Sequence, residues 1–505
     1  MIGPIRDRLD LALRKRVPLG SLMDRLAAIH GDRVLVSEHR SGRVLTYRAA
    51  AELVARWSDA VATRIEPGEP VVVAMPNGYD QFLMCLAVAR AGGLPAPVND
   101  QMRPAEIEHV TLDAGAHLVL RSSRQLRGTA PVIEPAAAEP SDVAALFYTS
   151  GTTGSPKGAA LTHRSLTGAA SAAALWPSGL RDDEVVAGLP VAHIMGFASY
   201  LGLAIAGIHC YCLEQFQPVE VLEVIEARRC SGFIGVPAMY RRLLEAGAAE
   251  RDLRSVRVWA SGADVISPDL VAAFKRFGSS AELPVIGPVG EAAFVEGYGM
   301  VEVGGGVAAR VSPPMVPARF GSSVGMRLPG YRFRVVDEAG RAVGLGSVGE
   351  LLVKGPGVLR EYWRSPEATS ETVTEDGWLR TGDLVRRGPL GTIVFHGRRK
   401  HVIKSGGYSV YPLEIEATLE EHPDVLEASV VGVPDEVLGE VPAAAIRLRP
   451  GSTASADDVL EFATERLSRY KVPRHIVVVA DLPRGGTGKV QKEHLEALFT
   501  PELDG

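Results

Sequence analysis

The sequence has few cysteines, and their spacing suits neither disulfides nor a metal site. Only four occur among 505 residues, at Cys85, Cys210, Cys212 and Cys230. A chain of this length would need more cysteines for a disulfide framework, and two cysteines separated by a single residue lack the spacing of a zinc knuckle. A reducing, cytoplasmic location is therefore expected.

Long apolar runs and a strong net charge are missing too. No stretch reaches about 18 consecutive apolar residues, so no membrane span is expected, which leaves peripheral membrane contact as an open alternative. No apolar segment of a signal peptide follows the charged N-terminus. A net charge of −6 provides no general attraction to nucleic acid.

Three common catalytic motifs are not found in the context that they require. H-E-x-x-H does not occur, and neither the G-x-S-x-G at 321–325 nor the G-x-G-x-x-G at 344–349 lies between a strand pattern and a helix pattern. The sequence therefore argues against serine hydrolases with a nucleophile elbow, zinc proteases and dinucleotide-binding enzymes.

Hydrophobic patterns in the first four hundred residues alternate between strands and helices. An amphipathic helix over 49–64 is followed by a strand over 70–75, an apolar helix over 79–91 and a strand over 94–98. This rhythm predicts an α/β fold, a large multi-layer N-terminal domain with mostly parallel sheets. In such sheets ligands lie at the carboxyl ends of strands.

The units become smaller after Gly397. The patterns predict, in order, a helix over 412–421, strands over 426–433 and 443–448, a helix over 455–470 and a strand over 475–480. We therefore expect two domains, residues 1–397 and a small mobile α+β domain over 398–505. The Pro- and Gly-rich segment 282–291 receives no secondary structure.

The run of eleven residues from Tyr148 to Gly158 carries the clearest functional pattern. It follows an apolar stretch over 143–147 that is typical of a buried strand. Glycines let the backbone approach a ligand, while N–H groups, hydroxyls and a lysine suit phosphate oxygens. Because Lys157 lies between Pro156 and Gly158, this is not the common phosphate loop. The predicted phosphate-binding residues are Thr149, Ser150, Gly151, Thr152, Thr153, Gly154 and Lys157.

This run resembles the phosphate-binding signature of the adenylate-forming superfamily, which includes acyl- and aryl-CoA synthetases, peptide-synthetase adenylation domains and luciferases. Further segments resemble the motifs of that superfamily in the same order, from Leu45 to Lys489. The resemblance implies ATP, Mg²⁺ and CoA as cofactors, and it is greatest to fatty-acid–CoA ligases.

Two of these segments imply the acyl and adenine sites. Residues 190–196 resemble P-x-x-H-x-x-G, whose histidine, here His193, lies beside the acyl carboxylate in acyl- and aryl-CoA ligases. Residues 261–263 resemble the segment whose backbone lies against adenine, which implicates Gly262 and Ala263.

The segment over 297–302 resembles G-Y-G-x-T-E. By this resemblance Tyr298, followed by Gly299, stacks on adenine, and Glu302 helps to hold Mg²⁺. Val301 stands where threonine is usual, so a hydroxyl that normally contacts phosphate or carboxylate is missing. The loss of one such hydrogen bond is worth about 1 kcal/mol.

Later motifs imply ribose and catalytic contacts. Thr381-Gly382-Asp383 and Arg398 resemble the ribose-binding pair, Asp383 and Arg398. Residues 483–489 resemble the C-terminal catalytic loop, and Lys489 matches the lysine that bridges the acyl carboxylate and the nucleotide during adenylation.

The segment after Gly397 resembles the hinge and the thioester-forming loop. Lys400 falls at the hinge position. The loop residues Lys404, Ser405, Gly406 and Gly407 would face the active site in the thioester-forming arrangement. Two adjacent glycines leave room for a pantetheine arm.

We therefore expect an AMP-forming acid–thiol ligase of fatty acid metabolism, because the residues after His193 and around Gly304 are small and apolar. After His193 no acidic residue stands where an amino-acid adenylating domain usually has an aspartate for the α-amine, which disfavours an amino acid substrate. The alternatives are an aryl- or short-acid–CoA ligase, an acyl-AMP ligase serving an acyl carrier protein, and a weakly active nucleotide-binding relative, to which Val301 points.

Overall fold

The computed structural model describes residues 2–14, 17–126, 133–149, 156–178, 181–316, 323–388, 392–485 and 489–499. The chain forms two compact units. The larger comprises Met1–Phe333 with Val353–Leu379, and the smaller comprises Arg334–Leu352 with Arg380–Gly505.

The helices of the described residues are α1 (Ile2–Arg14), α2 (Leu22–His30), α3 (Tyr47–Ala62), α4 (Tyr79–Arg90), α5 (Pro104–Ala114), α6 (His163–Ala170), α7 (Ile194–Ala206), α8 (Pro218–Arg228), α9 (Pro237–Glu245), α10 (Pro268–Phe277), α11 (Pro366–Thr372), α12 (Pro412–Glu420), α13 (Ala456–Arg466) and α14 (Lys492–Glu496).

The strands of the described residues are β1 (Val34–Glu38), β2 (Val44–Thr46), β3 (Pro70–Val73), β4 (Leu94–Pro97), β5 (Leu118–Leu120), β6 (Val143–Thr149), β7 (Lys157–Thr162), β8 (Glu184–Ala187), β9 (His209–Cys212), β10 (Gly232–Gly235), β11 (Val258–Gly262), β12 (Ala281–Leu283), β13 (Gly287–Val289), β14 (Ala293–Met300), β15 (Gly305–Ser312), β16 (Met326–Arg327), β17 (Arg332–Val336), β18 (Val348–Lys354), β19 (Glu361–Tyr362), β20 (Leu379–Arg387), β21 (Ile393–Arg398), β22 (Ile403–Ser405), β23 (Tyr408–Val410), β24 (Val425–Asp435), β25 (Gly439–Leu448) and β26 (His475–Val478).

A nine-stranded sheet in the order β16-β15-β14-β11-β10-β8-β9-β1-β2 forms the centre of the larger unit. Neighbouring strands from β14 to β1 run parallel, and only the pairs at the two ends are antiparallel. A second sheet, β4-β3-β5, is parallel throughout. The α/β fold with mostly parallel sheets is thereby confirmed.

One face of the large sheet packs on an aromatic core. The Trp259 ring of β11 lies edge-on to Phe233, Tyr240 and Phe274, with ring centroids 5.0–6.3 Å apart. Such edge-to-face pairs add to the free energy gained by burying apolar area. This core holds β11 and β14 in register, so that Gly262 and Gly297 pair at the carboxyl edge of the sheet.

The strand before the predicted phosphate loop belongs to an antiparallel sheet, whereas the alternation of strands and helices predicted a parallel one. Strand β6 pairs antiparallel with β7 in a three-stranded sheet ordered β19-β7-β6, and its last residue, Thr149, pairs with Lys157. The loop therefore joins two hairpin strands, because residues 150–156 are too few for the crossover that parallel strands require.

The segment left without secondary structure forms a hairpin. Strand β12 pairs antiparallel with β13, from Ala281↔Val289 to Leu283↔Gly287. The prediction was wrong because Pro288 and the glycines suggested only breaks. An edge strand accepts proline, and the positive φ of Gly287 (86°) belongs to the turn of this hairpin.

The smaller unit contains a five-stranded sheet in the order β23-β22-β25-β24, with β26 parallel to β25. Helices α12 and α13 cover it over an apolar core that includes Ile415, Leu419 and Val459. The helix predicted over 455–470 is α13, which Ser455 caps and which ends at Arg466, four residues before Tyr470. None of the described helices is long and apolar enough to cross a membrane.

Strands β14 and β15 approach each other too closely for a side chain at Gly299. A Cβ atom there would lie 1.7 Å from the carbonyl oxygen of Gly305, beside a register shift between Tyr298 and Gly299. Gly306 on the same strand pair is different, because a Cβ added there would have the Leu328 side chain, at 3.8 Å, as its nearest neighbour.

We predict that Gly299→Ala lowers the stability of the larger unit by about 1–3 kcal/mol, because backbone must move to admit the methyl group. Thermal unfolding followed by calorimetry should show a midpoint lower by at least about 2 °C. Gly306→Ala is the matched control and should leave the midpoint nearly unchanged. Equal midpoints for the two variants would contradict the close approach.

Candidate active site

The predicted site residues fall in both compact units. The larger unit contains Thr149, Lys157, His193, Gly262, Ala263, Tyr298, Gly299 and Glu302, and the smaller unit contains Asp383, Arg398, Lys400, Lys404, Ser405, Gly406, Gly407 and Lys489. Ser150, Gly151, Thr152, Thr153 and Gly154 lie outside the described residues.

His193 forms the N-cap of α7. Its ring Nδ1 accepts a hydrogen bond from the backbone N–H of Met195 at 3.3 Å. The backbone N–H of His193 donates to the carbonyl of Pro190 at 3.1 Å. A neutral imidazole whose Nδ1 accepts carries its proton on Nε2. His193 can therefore offer an Nε2–H donor to a carboxylate while it caps the helix.

Tight packing explains why glycine occupies two positions next to Met195, namely Gly196 in the sequence and Gly262 across a contact in space. A Cβ at Gly196 would lie 2.1 Å from the Pro190 carbonyl oxygen, and one at Gly262 would lie 3.0 Å from the Gly297 carbonyl oxygen and 3.4 Å from the Met195 methyl. The start of α7 thus sits directly against the carboxyl edge of β11. The structure brings His193 and the predicted adenine segment into one neighbourhood.

Glu302 belongs to a contact chain that the sequence did not reveal. It lies on a short 3₁₀ turn after β14, and its Oε1 accepts a hydrogen bond from the Tyr362 hydroxyl at 2.9 Å. The Lys157 Nζ lies 5.8 Å from the centre of the Tyr362 ring. Burial and the adjacent Glu302 raise the pKa of Tyr362, so the hydroxyl stays protonated and donates.

The stem of the phosphate loop is anchored on both of its sides. The Tyr148 hydroxyl donates to Asp113 Oδ2 at 2.7 Å, and its ring crosses Gly158, where an added Cβ would lie 3.0 Å from ring carbon Cζ. On the other side the N–H of Trp363 donates to the Gly158 carbonyl at 2.7 Å. Neither Tyr362 nor Trp363 was among the residues predicted for the site. The adjacent aromatic pair was the only sign in the sequence that this segment supports the loop.

Backbone conformation is unusual at the adenine segment. Ala263 has a φ of 69°, a left-handed conformation that non-glycine residues seldom adopt. The neighbouring Gly297 is exposed, and Tyr298 is half-buried. Exposed backbone beside a partly exposed ring suits a flat base.

The described residues fit a Mg²⁺ ion that is held mainly by phosphates. Among them, no group of three or more His, Cys, Asp or Glu side chains could hold a metal by itself. Glu302 accepts the Tyr362 hydrogen bond through one oxygen and can bind a hard cation through the other. The remaining ligands would be phosphate oxygens and water.

Asp383 and Arg398 form an ion pair in the smaller unit, in which the carboxylate is buried and the guanidinium is partly exposed. They lie opposite each other on β20 and β21, and Arg398 Nε is 2.9 Å from Asp383 Oδ1. Only 1% of Asp383 is exposed. Its N–H donates to Thr381 Oγ1, and the Thr381 hydroxyl donates to the Leu351 carbonyl. The Thr-Gly-Asp motif is therefore part of a strand that presents an ordered carboxylate.

Gly406 and Gly407 make the two-residue turn of a hairpin. Strands β22 and β23 pair from Ile403↔Val410 to Ser405↔Tyr408, and both glycines have positive φ, 55° and 84°. A two-residue hairpin turn with positive φ at both central residues favours glycine at each of them. The geometry of the turn therefore accounts for both glycines, apart from any role in binding CoA. A Cβ at Gly407 would meet no atom within 4 Å. The Lys404 Nζ donates to Ser409 Oγ at 2.9 Å.

Lys400 and Lys489 lie on segments joined through α14. The Lys400 Nζ is 3.6 Å from Glu493 Oε1, and Glu493 lies in α14, four residues after Lys489. The Lys489 carbonyl accepts from the N–H of Gly485 at 2.9 Å, which closes the base of the predicted catalytic loop. Burial, Lys492 and Lys400 lower the pKa of the adjacent His401 to about 4, so it is neutral near pH 7.

The chain matches two family models. The AMP-binding enzyme model covers residues 23–363, and the model of the AMP-binding enzyme C-terminal domain covers residues 414–489.

Similar proteins include a feruloyl-CoA synthase of Amycolatopsis sp, 31% identical over 91% of this chain and 94% of that protein. The human mitochondrial malonate–CoA ligase ACSF3 is 31% identical, over 81% of this chain and 80% of its own. ScoC of Streptomyces coeruleorubidus, a fatty acid–[acyl-carrier-protein] ligase, is 30% identical over 91% and 92%.

Solved structures agree with these matches. The crystal structure of ATP-bound MatB from Rhodopseudomonas palustris has a TM-score of 0.83 and 28% identity, and the match covers 95% of this chain and 99% of MatB. The chain therefore belongs to the AMP-binding enzyme family of adenylate-forming enzymes and is an AMP-forming acyl-CoA synthetase.

Proposed function

We propose that this synthetase activates a fatty acid and transfers the acyl group to CoA, with ATP and Mg²⁺ as its other requirements. The observation that carries the choice of acid is the absence of charge along two adjoining segments. Helix α7 contains no charged residue, and neither do residues 303–309, which include the start of β15. These two segments pack against each other.

An uncharged lining favours an apolar acyl chain over a dicarboxylate. A second carboxylate buried against α7 and residues 303–309 would find no cation on either segment, and burying an unpaired charge is costly. On α7 the half-buried residues Met195, Ala198, Ser199 and Gly202 share one face, and a Cβ at Gly202 would meet open space. A chain that follows this face would meet the Met195 side chain and otherwise only the small residues Ala198, Ser199 and Gly202.

In the first half-reaction a carboxylate oxygen attacks the α-phosphorus of ATP, and the bond from that phosphorus to pyrophosphate breaks. Two anions must approach, and at about 4 Å their repulsion is about 4 kcal/mol at an effective dielectric near 20. We assign Lys489 and Lys157 to offset this repulsion, and His193 to orient the carboxylate through Nε2–H. Bound Mg²⁺ would neutralise phosphate charge beside Glu302.

In the second half-reaction the CoA sulfur attacks the acyl carbon, AMP leaves and the thiol proton is released. We assign the hairpin turn at Gly406-Gly407 to the passage of the pantetheine arm, with Lys404 beside it. Rotation of the C-terminal residues about Lys400 would exchange Lys489 for this turn, as one lid serves both steps. Asp383 and Arg398 would hold the ribose throughout.

A second candidate function is transfer of the acyl group to an acyl carrier protein. It is favoured by the similarity to ScoC, which is named as a fatty acid–[acyl-carrier-protein] ligase. The two functions share the first half-reaction and differ only in the thiol that accepts the acyl group.

We predict that octanoate or palmitate supports faster AMP release than ferulate, benzoate or malonate, because the proposed lining is apolar. AMP release measured with MgATP and each acid, with and without CoA, checks this. Turnover that depends on CoA and yields acyl-CoA supports the CoA ligase. A preference for malonate or ferulate would overturn the choice of acid, and acyl-AMP that CoA does not consume would favour the carrier-protein alternative.

We predict that Tyr362→Phe weakens the use of MgATP roughly tenfold, because Glu302 loses a hydrogen bond to a charged acceptor. The measurement is acid-dependent ATP–pyrophosphate exchange across a series of Mg²⁺ concentrations. Tyr331→Phe is the matched control, since it deletes a hydroxyl 3.5 Å from the Val303 carbonyl without touching Glu302. Equal effects of the two substitutions would contradict the role of Tyr362.

We predict opposite effects of substitutions in the two proposed loops. Lys489→Ala should abolish ATP–pyrophosphate exchange yet leave acyl-CoA formation from supplied acyl-AMP within a few-fold of normal. Gly407→Asn should do the reverse, because asparagine tolerates positive φ and places a side chain in the open space of the turn. If each substitution slows both half-reactions equally, the two-loop assignment is wrong.

A further inference from the structure

The loop that ends at Lys489 is tied at its base to a buried carboxylate. Arg484 lies five residues before Lys489 and forms an isolated β-bridge with Val490, so the two sides of the loop meet there. The Arg484 Nη2 is 2.6 Å from Glu427 Oε1 and 2.5 Å from Oε2. Glu427 belongs to β24, the edge of the sheet, and 4% of its side chain is exposed.

Glu427 also contacts a second guanidinium. Arg447, opposite Glu427 on β25, lies 3.5 Å from Oε2 and donates through Nε to the Ala480 carbonyl. Two cations thus face one nearly buried anion. Their positions in the chain differ, because Arg447 lies within a ten-residue strand, whereas Arg484 lies at the base of the loop.

Resting on the proposed role of Lys489, we infer that Glu427 and Arg484 are positioning residues for the first half-reaction. A charge-assisted contact to both oxygens of a fixed carboxylate defines the place of Arg484 more narrowly than one ordinary hydrogen bond does. Since Gly485 donates to the Lys489 carbonyl, that constraint passes through one backbone hydrogen bond to the lysine.

The other side of the loop is tied in the same way. Lys492, three residues after Lys489, donates through Nζ to Glu416 Oε1 at 2.8 Å and to the Val430 carbonyl at 2.9 Å. Two ion pairs therefore flank the loop, that of Arg484 with Glu427 of β24 and that of Lys492 with Glu416 of α12. Removing the pair at Arg484 frees one end only, which predicts a misplaced Lys489 rather than an unfolded unit.

The experiment compares Arg484→Gln with Arg447→Gln in the full-length chain. Each removes one guanidinium from the same carboxylate, but only Arg484 belongs to the loop. Acid-dependent ATP–pyrophosphate exchange and acyl-CoA formation from synthetic acyl-AMP are measured with the best acid of the panel above. Calorimetry of each variant reports its folding.

Arg484→Gln should lower the maximal exchange rate at least tenfold, with the KM for ATP within about twofold of normal and thioester formation within twofold. Arg447→Gln should change the two half-reactions alike, whatever its effect on the unfolding midpoint. Arg484→Lys should restore part of the exchange rate, and it remains informative if the glutamine variant fails to fold. A doubly substituted Glu427→Gln, Arg484→Gln chain should exchange no more slowly than Arg484→Gln alone.

Equal losses in both half-reactions for Arg484→Gln, or the same split for Arg447→Gln, would overturn the inference. Lys489→Ala separates this failure from a failure of the proposed function. If Lys489→Ala abolishes exchange while Arg484→Gln leaves it intact, the positioning role alone is wrong. If Lys489→Ala leaves exchange intact, the role of Lys489 and the inference that rests on it are both wrong.

Discussion

Contact between backbones at glycines is the constraint on which the cleft of the larger unit depends. Gly196, Gly262 and Gly299 each stand where a Cβ would press within about 3 Å of a carbonyl oxygen. Because these positions have no side chain, α7 begins close against Pro190, β11 ends against β14 at Gly262, and β14 ends against Gly305 of β15. His193, Tyr298 and Glu302 each lie within three residues of one of these glycines. The packing of the backbone therefore determines where their side chains begin.

Electrostatics then decides what such a cleft can do. Joining a carboxylate to a phosphate requires cations whose own positions are stable, and long lysine side chains alone do not provide this. In the larger unit, Lys157 lies over the Tyr362 ring, whose hydroxyl also engages Glu302. In the smaller unit, carboxylates are paired with arginines in strand ladders, as at Asp383 with Arg398 and Glu427 with Arg447.

Much of the fold and the family was predictable because their signals are local. The strand over 143–147, the helices near 49 and 412, and the small α+β domain follow from periodicity and turn residues, which depend on neighbours in sequence. The errors have a common physical origin. The hairpin at 281–289 and the antiparallel pairing of β6 with β7 depend on which strands meet, and that choice is made by partners distant in the chain. Tyr362 was missed for the same reason, since it reaches Glu302 across 60 residues.

By itself, the sequence determined the family and the chemical inventory, because phosphate, base and carboxylate recognition demand particular side chains in short ordered motifs. Only the tertiary structure decided how those residues are supported. It revealed that Gly406 and Gly407 serve a turn, that His193 caps α7 through Nδ1, and that Arg484 anchors the Lys489 loop to Glu427. Supporting contacts of this kind join residues far apart in sequence, and a spatial contact without a fixed spacing leaves no motif to read.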